Sequence, residues 1–495
     1  MSRTTRNSAV FISAYFFTLL LNYVFGVSLS WFFDPGQFGV LGVAQSVLLL
    51  LALLVGSGFA WTINQKIAAN GVDDDNRRRF RTAFIGNLII GIGISFLLWL
   101  SFTTGFLPWG DAYRTILPLI GITTVLLSAR AVFNGAARGL YKFTPVAVNL
   151  VGEVILKILF GLILVIGGLG VTGVMIGFAI GAAISLLHSL WITRDAKWWE
   201  GSGWFDKSVI RTTAPLFLGM LSTALMLNLD VLGLKLFTPP GLGDILAGYY
   251  QAAVILSRIP VFIAQAMMLV LFSYIAGTNK LSNYDRQDLT QFLSTIFRTW
   301  FRLLLPIGLA FMLAPRAILS IFFPNEYLIA SQALQVAGFG AILLALVTLL
   351  NGFLQAAGEN KLPSIATGLA ILLQIALMKI YISDRGTQGA ALALLIASLF
   401  ALLIILPNTM QFLPNHWIKG TISTKKIIAL IFPFVALSIP LLLLPENNSV
   451  LALSKIIISG SIYLLTVLYL QWQPRSRDEN TGHLLSELVK VFLGG

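Results

Sequence analysis

Residues 8–33 read SAVFISAYFFTLLLNYVFGVSLSWFF, a run of apolar and small polar residues that contains no charge. About 20 mostly apolar residues are enough for an α-helix to cross the hydrocarbon core of a membrane. The run is too long for the core of a signal peptide, and no small-x-small cleavage site follows it. It is therefore predicted to be a membrane-spanning helix that is retained in the mature protein.

The rest of the chain has the same character. Of its 495 residues, 57% are hydrophobic and 11% are charged, whereas a soluble protein carries about 25% charged residues. The pattern predicts an all-α integral membrane protein of about 14 transmembrane helices. With the first run, the apolar segments lie at about 8–33, 40–63, 82–107, 114–138, 145–167, 171–193, 212–237, 245–277, 291–314, 331–357, 363–382, 386–410, 425–444 and 450–471.

The basic residues indicate how these segments are oriented. If the N-terminus is cytoplasmic, the inside connections hold 22 Lys and Arg residues, and the outside loops hold only Arg114, Arg316 and Arg385. Cytoplasmic loops of membrane proteins are enriched in Lys and Arg, so both ends are predicted to be cytoplasmic. The same enrichment accounts for the net charge of +13, and no nucleic-acid partner is inferred from it.

Similar motifs recur in the two sets of six segments, offset by 206 to 219 residues. Because six is even, both halves would enter the membrane from the same side, as in a parallel repeat. The predicted organisation is an N-lobe at 1–200, a C-lobe at 201–415, two further spans at 416–472 and an amphipathic cytoplasmic tail at 473–495. The matches are Gly42-Val43-Ala44-Gln45 with Gly248-Tyr249-Tyr250-Gln251, Asn134-Gly135 with Asn351-Gly352, Gly139 with Gly358, and Gly170-Val171-Thr172-Gly173 with Gly386-Thr387-Gln388-Gly389.

The chain resembles the multidrug/oligosaccharidyl-lipid/polysaccharide (MOP) exporter superfamily, and within it the Wzx-type oligosaccharide flippases. The resemblance rests on the turn Asp34-Pro35-Gly36-Gln37-Phe38-Gly39, on Ala44-Gln45-Ser46, on the basic turns at Gly139 and Gly358, and on the helix starts at Gly170 and Gly386. It implies two six-helix lobes around a cavity lined by spans one, two, seven and eight. It also implies alternating access that moves an isoprenoid-pyrophosphate-linked glycan from the cytoplasmic to the outer leaflet of a bacterial inner membrane.

The resemblance also indicates partners. A lipid-linked glycan would be the substrate, membrane lipids would surround the chain, and a polymerase and glycosyltransferases would act in the same pathway. Two alternatives stay open: a cation-coupled exporter of small amphiphiles and a lipid II flippase. No catalytic residue, metal site or cofactor is predicted, because the chain lacks cysteine and shows no Ser-His-Asp or paired-carboxylate constellation.

Ionisable residues at membrane depth are costly and are functional candidates by default. Arg130 and Glu153 lie at equal distances from the Tyr141-Lys142 turn, which predicts a structural ion pair across a helical hairpin. Lys157, one turn from Glu153, would share the neutralisation. Lys235, Lys379 and Lys455 lie near span ends and are expected to extend to the headgroups.

The substrate-binding candidates are Arg258, Asp230, Arg302, Arg298, Gln45 and Gln251. Arg258 would meet the pyrophosphate, because its guanidinium offers a fork of donors that fits a phosphate. The alternative is a pair between Asp230 and Arg258 that joins two helices. Arg298 and Arg302 lie four residues apart and hence on one helical face. Finally, Trp198, Trp199, Trp204 and Phe205 are expected to form an aromatic anchor at the membrane interface.

Overall fold

The computed structural model describes residues 3–107, 109–239, 241–276, 296, 300–356, 359, 361–411, 436–441 and 449–472. All regular secondary structure in these ranges is helical. The first seven long helices are α1 Arg3–Leu29, α2 Pro35–Asn70, α3 Asp74–Thr103, α4 Ile116–Gly139, α5 Phe143–Leu164, α6 Gly170–Thr193 and α7 Lys207–Phe237. The others are α8 Leu242–Ser257, α9 Ile259–Ala276, α10 Leu305–Leu313, α11 Pro315–Phe322, α12 Ser331–Ala356, α13 Lys361–Met410 and α14 Ser449–Trp472.

Several of the described helices are long and apolar enough to cross a membrane. Six of the described helical segments meet that test, and up to eight do so if each of two bent helix pairs counts as one span. Two of the six, Phe143–Ala196 and Lys361–Met410, contain 54 and 50 residues and each include two of the predicted spans. The all-α membrane fold class is therefore confirmed. The predicted span at 425–444 is described only at 436–441, and the predicted tail helix lies outside the described residues.

Local sequence explains where several helices begin. Asp34 caps α2 by accepting a hydrogen bond from the Gln37 amide, and Pro35 occupies the first helical position, where its missing N–H is not needed. Asp73 and Asp206 cap α3 and α7 in the same way. The chain breaks between α8 and α9 next to Pro260, since a proline removes one helical hydrogen bond and its ring collides with the preceding turn.

The turns that separate α5 from α6 and the two arms of α13 have the same backbone conformation. Gly170 and Gly386 have φ values of +53° and +51°, a region that glycine enters without a steric cost. Three residues later, a Cβ at Gly173 would meet Leu164, and one at Gly389 would overlap the carbonyl of Tyr381. The Gly-x-x-Gly motifs therefore mark the same tight hairpin in both places, as expected for a structural repeat.

Contacts divide the chain into two compact units, one formed by Met1–Ile255 with Asn360–Ala401 and the other by Leu256–Glu359 with Leu402–Gly495. In the first unit, α2 packs along α4 and α7, and α6 packs along α4 and α5. In the second unit, α12 packs along α9 and α10, and α11 contacts α14. The predicted division into lobes at residue 200 stays a prediction.

Candidate functional site

The predicted cavity residues Gln45 and Gln251 lie together where α2 crosses α8. The Gln251 side-chain amide donates to the Gln45 carbonyl oxygen at 3.5 Å, and the Gln251 carbonyl oxygen is buried without a hydrogen-bond partner. Gly42 makes room for this contact, because a Cβ there would come within 2.9 Å of the Gln251 side chain. Two glutamines placed alike in the proposed repeat therefore share one site.

Nearer the start of the two helices, α2 and α8 touch backbone to backbone. A Cβ at Gly39 would overlap the carbonyl oxygen of Asp244, and a Cβ at Gly248 would overlap that of Pro35. The two contacts mirror each other, since each glycine faces the residue four positions before the other. Glycine is required at both positions, because any side chain would force the helices apart.

Asp244 also holds a polar cluster at the same corner. The Lys235 amine lies 2.8 Å from one Asp244 carboxylate oxygen, and the Tyr113 hydroxyl donates to the other at 2.7 Å. The amine also lies 4.7 Å from the centre of the Tyr113 ring. The expectation that Lys235 extends to the headgroups is thus wrong: it is 8% exposed and paired. Of the two other lysines, Lys379 is exposed, whereas Lys455 is buried at 4% exposure, contrary to the expectation for it.

Asp230 is a buried acid on α7. Its carboxylate accepts from the Tyr250 hydroxyl at 3.0 Å and from the Val231 amide at 2.9 Å. Arg258 lies at the break between α8 and α9, where its carbonyl accepts from the Phe262 amide, and the residue is 9% exposed. The two residues belong to different compact units, and the alternative that they pair stays a prediction.

The predicted cationic ladder on span nine is only partly within the described residues. Arg298 lies outside them. Arg302 is exposed and belongs to a single π-helical turn at Trp300–Leu304. The carbonyl of Arg302 accepts from the Tyr463 hydroxyl at 2.6 Å, which ties this turn to α14.

Arg130 on α4 and Glu153 on α5 form an ion pair, with both side chains 18% exposed. The same guanidinium nitrogen, Nη1 of Arg130, donates to the Ser185 hydroxyl on α6 at 3.1 Å. Lys157 takes no share in the pair: no carboxylate of the described residues lies within 4 Å of its amine, which lies 4.6 Å from the centre of the Phe178 ring. One turn nearer the hairpin, Asn149 donates to Asn134, Ser185 and Ser189.

One further cluster joins α3 to the segment 194–206 and involves backbone groups that side-chain patterns do not reveal. Arg81, 1% exposed, donates to the carbonyls of Trp198, Glu200, Ser202 and Gly203. Phe80 stacks on Trp198 at 4.3 Å between ring centres. The predicted aromatic anchor is therefore wrong for Trp198, which is 3% exposed, whereas Trp199, Trp204 and Phe205 are exposed.

Asp206 closes this connection. Its carboxylate lies 3.2 Å from Nε of Arg79, and its backbone amide donates to the Thr82 hydroxyl at 2.8 Å. Burial alone would raise the pKa of Asp206, but hydrogen bonds from Ser208 and Arg79 outweigh it and hold the pKa below the ordinary value. The segment 194–206 is therefore fixed to the first turns of α3.

Several solved transporter structures have a similar fold. A lipid II flippase, MurJ, in an inward closed conformation, matches with a TM-score of 0.74 and 17% identity over 92% of this chain and 97% of that one. A multidrug resistance MATE family transporter of the MOP superfamily, in an inward-facing conformation, matches with a TM-score of 0.62 and 18% identity over 84% of this chain and 100% of that one. A mutant of the Vibrio cholerae MATE transporter VcmN gives a TM-score of 0.58 and 14% identity over 83% of this chain and 98% of that one.

No curated protein sequence matches this one significantly. The family model described as "Polysaccharide biosynthesis protein" matches residues 4–279. That match includes α1 to α9 and covers more than half of the 495 residues. The chain therefore has the fold of the MOP superfamily transporters and belongs to the polysaccharide biosynthesis protein family.

Proposed function

We propose that this protein is a flippase that moves an isoprenoid-pyrophosphate-linked oligosaccharide from the cytoplasmic to the outer leaflet, for the synthesis of a cell-surface polysaccharide. The observation that carries the proposal is the polysaccharide biosynthesis match over residues 4–279 in a chain with the fold of a lipid II flippase. A flippase changes no covalent bond, so the protein would not be an enzyme and would need no cofactor. The protein would be located in a bacterial inner membrane, with both termini cytoplasmic.

The charges at membrane depth support an anionic substrate. Arg130, Lys157 and Arg258 lie within the apolar helical segments or at their breaks, where an uncompensated cation is costly. Arg258, Arg302 and Arg298 are the candidate partners of the pyrophosphate, because a guanidinium can give two parallel hydrogen bonds to a phosphate. Gln45 and Gln251 would bind sugar hydroxyls, since amide groups both donate and accept hydrogen bonds.

Alternating access would require the contacts at Gly39 and Gly248 to open. In the structure, the backbone contact between α2 and α8 and the Lys235–Asp244 ion pair hold the first turns of these two helices together. Substrate released to the outer leaflet would have to pass between helices that now touch, so the two helices must separate during transport. Glycosyltransferases of the same pathway would supply the lipid-linked glycan, and a polymerase would consume it.

Two alternatives have support in the comparisons. The likeness to a lipid II flippase favours a peptidoglycan precursor as substrate, and the likeness to MATE transporters favours cation-coupled export of small amphiphiles. For the second alternative, Asp230 would be the acid that binds the coupling ion, because it is buried and hydrogen-bonded to Tyr250. The proposal and its two alternatives differ in the cellular defect that expression of the protein would rescue.

The deciding experiment measures surface polymer in cells that lack their own oligosaccharide flippase. Expression of the wild-type chain should restore polymer, whereas Arg258→Ala should reduce polymer per folded transporter roughly 100-fold, as expected for the loss of a bidentate charged contact. Arg258→Lys should restore only part of the polymer, because lysine keeps the charge but not the fork. If Arg258 instead joins helices by pairing with Asp230, Asp230→Asn should be as damaging as Arg258→Ala, and both should lower the amount of protein.

Rescue of cells depleted of their lipid II flippase, without restored surface polymer, would replace the proposal by the first alternative. Resistance to amphiphilic drugs without polymer would replace it by the second. Wild-type polymer output from abundant Arg258→Ala protein would remove this residue from the substrate path.

A further inference from the structure

We propose that Lys157 and Arg130 form an oxyanion-binding site between α4, α5 and α6 of the first half. The site deepens the proposed function and rests on it only for the identity of the ligand. Its ligand would be a phosphate or carboxylate group, which two sources could provide: the pyrophosphate of the lipid carrier or an acidic sugar of the glycan.

The charges of Arg130, Lys157 and Glu153 do not balance. Among the described residues of this cluster there are two cations, Arg130 and Lys157, and a single acid, Glu153, which is bound to Arg130. The Lys157 amine contacts the face of the Phe178 ring instead of a carboxylate. Such a contact stabilises an ammonium less than an ion pair buried at the same depth would. These three side chains therefore keep one uncompensated positive charge. Arg130 and Lys157 repel each other, and Arg138 on α4 repels Arg130 as well.

Arg130 also has a hydrogen-bond donor without a partner. An arginine side chain has five N–H donors and a lysine has three. The contacts of Arg130 to Glu153 and Ser185 both use Nη1, and its Nε is buried without a hydrogen-bond partner. An unpaired buried donor of this kind is destabilising, and an arriving oxyanion would remove that cost.

Lys157 lies on the side of α5 opposite to its exposed apolar face. α4 and α5 each pack along α6 but make few contacts with each other, so the Arg130–Glu153 pair bridges them in front of α6. On α5, the exposed apolar residues Val148, Ile155 and Leu159 lie about 160–180° around the helix from Lys157 at 100° per residue. Because that exposed apolar face is suited to lipid, Lys157 faces the interior of the first half.

The charges are nevertheless reachable. Arg130 and Glu153 are each 18% exposed, and Lys157 is half-buried rather than buried. Close packing behind them keeps the site in place: a Cβ at Gly181 would come within 3.1 Å of the Lys157 Cβ, and one at Gly177 would come within 2.7 Å of the Lys157 carbonyl oxygen. The helical backbones are thus in contact, while the side chains of Arg130, Glu153 and Lys157 each keep part of their surface exposed.

The test is ligand binding to the purified full-length protein, measured as the rise in its unfolding temperature. Inorganic pyrophosphate, sodium glucuronate and sodium chloride would be compared at equal ionic strength. We expect pyrophosphate or glucuronate to stabilise the wild type while chloride does not. An effect of pyrophosphate alone would identify the lipid carrier as the source, and an effect of glucuronate alone would identify the sugar.

Lys157→Gln should weaken that binding roughly tenfold or more, as expected for one lost charge-assisted hydrogen bond. The same variant should unfold at the wild-type temperature or higher without ligand, because the repulsion of Arg130 is gone. If Lys157 had a purely structural role, Lys157→Gln would instead unfold at a lower temperature than the wild type. Lys379→Gln, at an exposed lysine of α13, should bind like the wild type.

The proposal is overturned if neither anion stabilises the wild type beyond chloride, or if Lys157→Gln binds as tightly as the wild type. It is also overturned if Lys379→Gln loses binding to the same extent, since the effect would then be general attraction to a basic protein. The polymer assay tests the flippase proposal separately: anion binding at Lys157 without polymer rescue would leave this site standing and remove the proposed function.

Discussion

The Arg130–Glu153 pair shows why single charges inside a membrane protein are hard to change. Both side chains are largely buried, and each partner offsets the desolvation of the other. Removal of one partner leaves a buried charge unpaired, which typically costs about 3–5 kcal/mol. Replacement of both by apolar residues removes the charges together and is often close to neutral. Because Lys157 lies one turn from Glu153 on α5, the loss of Glu153 alone and the loss of Arg130 alone should destabilise the protein to different extents.

We therefore expect Glu153→Gln to lower the amount of folded protein strongly, because Arg130 and Lys157 are then both without a carboxylate. Arg130→Met should be milder, since Lys157 can turn towards Glu153. The double replacement Arg130→Met with Glu153→Met should recover much of the folded protein. The measurement is the monodisperse fraction after extraction from the membrane, with Lys157→Gln as the matched control. A double variant that folds well but makes no polymer would show that the pair acts in transport itself.

At the scale of helices, glycines decide how closely α2 and α8 can approach. Gly39 and Gly248 lie at a crossing where the two backbones are in van der Waals contact. Gly56, on the same helix α2, has no atom within 4 Å of the place where a Cβ would be. The comparison of these glycines separates the effect of the crossing from the ordinary gain in helix propensity when glycine becomes alanine.

Gly39→Ala and Gly248→Ala should each destabilise the described state by about 1–3 kcal/mol, the usual cost of an overpacked contact. Gly56→Ala should be neutral or slightly stabilising. The measurement is the thermal unfolding temperature of each purified variant, which ranks the three variants by stability. Equal stability of Gly39→Ala and Gly56→Ala would mean that the two helices are not in contact in the membrane.

A second interaction between elements is the attachment of the segment 194–206 to α3. Arg81 satisfies four backbone carbonyls of this segment, and a lysine cannot reach them all from one ammonium group. Arg81→Lys should therefore destabilise the protein by about 2 kcal/mol or more and speed tryptic cleavage at Arg194 and Lys197, which are exposed. Arg114→Lys is the control, because Arg114 is an exposed arginine outside this segment. Unchanged cleavage in Arg81→Lys would show that other contacts hold the segment.

At the scale of the whole molecule, the sequence predicted the features that depend on local composition. Hydropathy located the helical segments, and the glycines at 170 and 386 located two turns with the same φ. The register of one hairpin was enough to place Arg130 opposite Glu153. The cluster at Asp244 and the carbonyl contacts of Arg81 could not be predicted, because their partners are distant in sequence or are backbone atoms. Lys157 was misassigned because spacing along a helix does not fix where a long side chain turns.

The final prediction concerns the side of the membrane on which each connection lies. The chain has no cysteine, so single cysteines can be introduced at exposed sites without a background. Three exposed residues each precede an odd-numbered predicted span: Asp75, Glu200 and Lys361. Two other exposed residues, Thr104 and Glu326, lie in connections that follow a span. Because basic residues are retained on the cytoplasmic side, cysteines at 75, 200 and 361 should react only after the membrane is opened.

Cysteines at 104 and 326 should react with an impermeant maleimide from outside in intact cells. The pair 75 and 104 tests α3 alone, since the two positions flank that helix. The pair 200 and 326 tests whether an odd number of spans lies between these two positions, as the three predicted spans at 212–237, 245–277 and 291–314 require. Labelling of 75 from outside would invert the orientation, because every later connection would change sides with it. Labelling of 200 and 326 from the same side would instead remove one span from the second half, and the two halves could not then be parallel repeats.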